Sequence, residues 1–160
     1  MARAVGDFTL DWGAWTEQTF TALDGLANAD FEASDELNIG ALDNAVDVII
    51  GGFVTSNAAG TSATGYVTLY AAAPTDGTNY PTSGASADKD NWRQLGPSLN
   101  VVANATVYRF AGWSLKQAFG GVLPEKVKIG AYNGSGAALD ADAADNKLFY
   151  QVVFANAKLS

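Results

Sequence analysis

The chain has no cysteine and no histidine in its 160 residues, and it is poor in cationic side chains. Without cysteine there is no disulfide framework and no thiolate zinc site. Without histidine, a Ser-His-Asp or Cys-His arrangement is excluded, as is any His-ligated metal. Nine Lys and Arg stand against seventeen Asp and Glu, a net charge of −8. Nucleic acid needs a basic footprint and an anionic membrane surface repels acid, so neither is an expected partner. The same charge would keep densely arrayed copies soluble. Long apolar runs are missing too. No stretch reaches the ~20 residues of a bilayer span, and MARAVGDFTLDWG lacks the apolar core of a signal peptide. If the chain is complete, it is expected to be made and folded in a cytoplasm.

What is there reads as strands. An apolar share of 48% with 16% charged residues describes a globular chain. Its length suits one domain, burying about two-thirds of its unfolded surface. Seventeen glycines with many Thr, Val and aromatic residues favour strands joined by turns. The pattern carries seven or eight strands, without a repeat or a linker. The expected fold is all-β, an antiparallel jelly-roll-like β-sandwich with one short helical turn and an N-terminal arm. The arm covers 1–21 and the sandwich domain 22–160.

The stretch from Thr106 to Asn133 organises the rest. Thr106–Trp113 alternates, with Tyr108 and Phe110 on one face and Val107, Arg109 and Trp113 on the other. Ser114 is the expected N-cap of a single turn over Leu115–Phe119, which Gly120-Gly121 ends. After Pro124, Lys126–Tyr132 points Val127, Ile129 and Ala131 one way and Lys126 and Lys128 the other. A unit of this kind carries the chain from one sheet of a sandwich to the other.

Upstream, Phe8, Leu10 and Trp12 alternate, and Trp15 and Phe20 follow. Two readings are open: a first strand tucked onto the domain's own core, or an arm that docks on a neighbouring subunit. Large aromatic anchors make Phe8, Leu10, Trp12 and Trp15 the candidate interface residues. Leu23–Leu42 reads as loop with short edge strands, one around Asp30–Ala33; a helix across Thr16–Leu26 is the alternative. Asn44–Thr55 is a strand with Val46, Val48 and Ile50 opposed to Asp47 and Ile49, and Gly51-Gly52 marks a bulge or a close approach. The spacing predicts that it forms a long hairpin with Gly65–Ala72. Pro74–Asn91 is a long polar loop, of a length that is usually functional or mobile. Leu148–Ala157, apolar on both faces, is expected to be a central strand.

Residues for chemistry are sparse. A carboxylate pair could hydrolyse glycosides, but the four glutamates, Glu17, Glu32, Glu36 and Glu125, lie outside strong strand centres. Asp47 stands alone. Asp140, Asp142, Asp145 and Asn146 resemble part of a calcium loop, yet lack the glycine and glutamate of an EF-hand. No catalytic residue, cofactor or metal is therefore expected, and no enzyme. Sugar stacking is the rival use of exposed aromatics, with Tyr80 and Trp92 beside the long loop as candidate glycan contacts.

Three segments carry a family likeness. They are GYVTLYAAAPTDGTNYP, then WRQLGPSLNVVANATVYRFAGWSLKQAFGGVLPEKVKIGAYNGSGAAL, and the closing LFYQVVFANA. Together they resemble tailed-phage capsid decoration (cement) and minor head proteins over roughly 44–157, most tellingly at Ser114–Lys126. The resemblance implies a virion structural protein on the outer surface of the capsid, with the major capsid protein and itself, as a homotrimer, for partners. A carbohydrate-binding virion module and a tail or fibre component are the alternatives.

Overall fold

The computed structural model describes residues 8–157, which build two antiparallel sheets packed into a sandwich. The first sheet holds β1 (Phe8–Gln18), β4 (Ala45–Thr55), β8 (Val107–Ser114) and β10 (Lys147–Ala157), in the order β1-β10-β4-β8. The second centres on β5 (Tyr66–Ala72) and β9 (Lys126–Gly134). Beside β9 lie β2 (Asp30–Ala33) and β3 (Leu37–Asn38); beside β5 lie β6 (Arg93–Gln94) and β7 (Leu99–Asn100). The expected all-β sandwich is what alternation in these strands produces.

Period-2 patterning places the core. Val48, Ile50 and Val54 of β4, Val67, Leu69 and Ala71 of β5, and Val127, Ile129 and Ala131 of β9 are each at most 1% exposed and belong to one cluster. Burying a valine-, leucine- or isoleucine-sized side chain contributes ~1.5–3 kcal/mol, so this layer supplies most of the driving force. The strand of Leu148–Ala157 is central as expected, held between β1 and β4.

The organising stretch behaves as its pattern implies. Ser114 Oγ accepts the Gln117 N–H at 2.9 Å and caps a single turn, α1 (Leu115–Ala118), whose Leu115 is fully buried. Gly120, at φ +70°, closes the turn by donating to the Gln117 carbonyl, and Gly121 donates to that of Lys116. From there β9 enters the second sheet, so the unit does carry the chain across the sandwich.

Three expectations are corrected. The hairpin of Asn44–Thr55 with Gly65–Ala72 does not form: β4 pairs with β10 and β8, and β5 with β9, β6 and β7. Residues 56–65 instead bridge the two sheets. Ser56 Oγ donates to the Ala103 carbonyl (2.6 Å) while accepting the Thr106 N–H, and the Ser62 N–H bonds to Ser135 O at 2.7 Å. A ten-residue connection of small side chains lacks the tight-turn geometry that dictates a hairpin. The alternative helix over Thr16–Leu26 is also absent, since β1 runs to Gln18 and only Thr21–Leu23 makes a 3₁₀ turn. Finally, Trp113 joins Phe110 on the core side, stacked on it with centroids 4.8 Å apart. The register shifts where Ala111 and Gly112 intervene, with Gly112 at φ +84°, and the extra residue cancels the alternation.

Candidate functional site

The same device shapes the outer face of the four-stranded sheet. Trp12 pairs with Val153 and Trp15 with Gln151, with a register shift between them at Gly13 and Ala14. Residues three apart on a regular strand point to opposite sides. Here the bulge restores both tryptophans to the solvent side, and Gln151 Nε2 secures it by donating to the Gly13 carbonyl at 2.8 Å. Directly paired residues share a face. By that rule Leu10, Trp12 and Trp15 of β1 stand with Phe149 and Val153 of β10, Phe53 of β4, and Val107 of β8.

This face is bare and apolar. Leu10 is 62% exposed, Trp12 61% and Trp15 47%. Gly51 leaves the middle of the sheet without a side chain, and a Cβ there would meet the Trp15 ring at 3.1 Å. A shallow hollow of about 350 Å³ results, walled by Trp15, Phe53, Phe149 and Ala111. Charged groups rim it. Lys147 Nζ donates to Glu17 at 2.6 Å, which holds the lysine above its ordinary pKa. The Arg109 guanidinium lies 6.0 Å from the Phe53 ring centre. Asp47, on the same face, accepts from Ser114 Oγ (2.6 Å) and from the backbone N–H groups of Lys116 and Val48. Sequence reasoning placed Asp47 alone; it is instead a second clamp on the start of α1.

Of the candidate interface residues, Leu10, Trp12 and Trp15 therefore come together on one face. The Phe8 side chain lies outside the described residues. Pairing along Phe8–Gln18 makes this segment an edge strand of the sandwich's own sheet. Phe53 and Phe149 were missed as members, although for Phe149 the apolar outer positions of the closing strand were a signal in the sequence.

The outer face of the second sheet is also aromatic, but the chain covers most of it and leaves Tyr66 exposed. Phe31, fully buried, meets Trp92 edge-on at 5.2 Å and Tyr70 at 5.7 Å. The long loop folds over them: Trp92 Nε1 donates to Thr82 O, and the Gly84 N–H to Phe31 O. Trp92 is thus 7% exposed and has no free ring face for a sugar, which corrects its place as a candidate glycan contact. Tyr80 is half-buried, with its hydroxyl on Glu36 at 3.0 Å and Lys128 Nζ 5.2 Å from its ring. Burial, then the bond to Glu36, pushes its phenol well above the ordinary range, while Lys126 and Tyr80 hold Glu36 low.

The acidic loop is used internally. Asp140 and Asp142 accept backbone N–H groups of Asp142 and Ala144, and Asn146 links Thr55 N–H to the Asp140 carbonyl. Among the described residues no three His, Cys, Asp or Glu side chains gather as metal ligands. No helix among them is long and apolar enough to cross a membrane. Compared with known protein families, curated proteins and solved structures, the chain matches none.

Proposed function

We propose that this chain is a virion structural protein, a decoration or cement protein that binds the assembled shell of a phage head through the bare face of its four-stranded sheet. The observation that carries the reading is the contrast between the two outer faces. Both are aromatic, yet on one the chain's own loop covers Phe31 and Trp92 and leaves only Tyr66 exposed, while the other offers Leu10, Trp12 and Trp15 to solvent. An apolar patch left open in this way marks a contact site. The likeness of Ser114–Lys126 to phage head proteins supplies the setting, with the major capsid protein as partner and the outer capsid surface as location.

The mechanism is mass action. A protein that binds only the assembled lattice stabilises it by RT ln(1 + [L]/Kd) per site, and many copies multiply a modest term. Four strands ~4.8 Å apart and about eight residues long give a face of roughly 500 Å², below the ~800 Å² per partner of a standard interface. Repetition over the lattice compensates for that size.

The test is binding of purified protein to heads stripped of it. Trp12→Ala with Trp15→Ala should reduce bound copies at least ~30-fold at equal concentration, as loss of ~2 kcal/mol at central anchors implies. Undiminished binding overturns the reading. Densitometry of particles should count hundreds of copies; a handful would place the protein in a tail.

A further inference from the structure

We propose that β1 is a self-association site, its open edge pairing antiparallel with β1 of a second copy to give a two-fold dimer. The two four-stranded sheets would then run on as one. This goes beyond shell binding and holds in free solution.

Edge strands present unpaired N–H and C=O groups, and natural sandwiches shield them. Three boundaries of this sandwich are shielded by the chain itself. At β8, Trp113 lies on Gly96, and the Tyr108 hydroxyl accepts from the N–H groups of Val102 (3.1 Å) and Ala103 (2.8 Å). At β2, the Gly84 N–H takes the Phe31 carbonyl at 2.8 Å. The far side of β5 carries β6 and β7. Backbone groups along Thr9–Glu17 bond to no segment but β10 among the described residues, as those of β8 bond to none but β4. β8, however, has Gly96 and the 102–103 backbone held against its Trp113 and Tyr108 side chains. FTLDWGAWTEQ lacks the lysine and proline that protect many edges, and its bulge at Gly13-Ala14 confines regular pairing to the Phe8–Trp12 half.

The occupant follows from charge and size. Near the seam Glu17 is neutralised by Lys147, whereas Asp11 bonds only to the neutral Asn156 amide and keeps its charge, so the pairing register must set Asp11 away from its copy. Leu10, Trp12 and Trp15 project from the sheet face and are 47–62% exposed, so edge pairing covers only part of them. With the two strand edges the seam is on the order of several hundred Å², the size of a weak contact. The net charge of −8 on each copy opposes association at long range, so the dimer should tighten with added salt. A strand pairing with its own copy closes after two, leaving no seat for a third subunit. That distinguishes it from the homotrimer the family likeness implies.

Sedimentation equilibrium of the full chain should give twice its 16.6 kDa mass. The absence of native cysteine allows a clean second readout. Single Thr9→Cys, Leu10→Cys, Asp11→Cys, Trp12→Cys and Ala14→Cys variants, oxidised in turn, should cross-link best at one position and fall off on either side, as a two-fold register requires. Leu10→Lys with Trp12→Lys should weaken association at least ~100-fold while leaving the melting temperature of the monomer in place. A monomer at concentrations to about 100 µM, a threefold mass, or a cross-linking profile without a maximum overturns the proposal. If particles are still decorated in that case, the shell-binding reading survives it.

Discussion

Asp47 Oδ2 accepts a 2.6 Å hydrogen bond from Ser114 Oγ, joining β4 to the residue that caps α1. The other carboxylate oxygen takes the Lys116 N–H at 3.0 Å and the Val48 N–H at 2.8 Å. One side chain therefore fixes where the crossing unit leaves its sheet. Asp47→Ala should cost ~1–2 kcal/mol, the scale of a lost cap plus a hydrogen bond to a charged group. Calorimetry should show a fall of roughly 2–8 °C. An unchanged melting temperature would refute the clamp.

Phe31 sits where Gly130 has no side chain. A Cβ on Gly130 would collide with the Phe31 ring, while Trp92 closes in from the loop at 3.3 Å. Gly130→Ala should destabilise by ~1–3 kcal/mol through overpacking, read from the denaturant midpoint at constant slope. Phe31→Leu in the same chain should recover part of the loss, since it removes the colliding atoms.

Trp92 holds the long loop down, so Trp92→Ala should cost ~3–5 kcal/mol. Proteolysis within 74–91 should accelerate in that variant, because Phe31 and Tyr70 lose the ring packed on them. A variant of native stability that merely lost sugar binding would restore the glycan reading.

Asp76 carries the sharpest acid dependence. The Asn79 N–H, then the Asn79 side chain and the Thr78 N–H, hold its carboxyl down at about 2. A depressed folded pKa contributes stability that is present above the unfolded value of ~3.9 and is lost as pH falls through about 2. Carboxyl ¹³C shifts should titrate near pH 2 for Asp76, and Asn79→Ala should move the midpoint upward. A midpoint at the ordinary value would contradict the turn geometry.

Strand identity was legible because apolar alternation is a local property: β4, β5, β8, β9 and β10 all appear in the pattern, and β4, β5 and β9 appear with their buried faces. The cap at Ser114 and the glycine stop were readable for the same reason. Partnership was not. Nothing local says that β4 prefers β10 to β5, because both choices bury the same valines and isoleucines. Bulges were the second blind spot. W-G-A-W and F-A-G-W each place two aromatics on one face, and strict period-2 counting sends them to opposite faces. The exposed tryptophans were named from composition, but their common platform with Phe53 and Phe149 needed the bulge to be seen. Trp92 misled because a loop tryptophan looks available until the loop is found lying on its own sheet.

In the four-stranded sheet no two neighbours are consecutive in the chain, and in the second sheet the nearest linked pair, β5 and β6, is separated by the whole loop of 73–92. No strand can therefore find its partner by closing a tight turn, and every ladder must wait for distant chain to arrive. Folding by such non-local contacts is slow, on the order of milliseconds to seconds. Cutting the gene into fragments should give pieces that are individually unstructured, and only their recombination should regenerate the native fluorescence of the tryptophans.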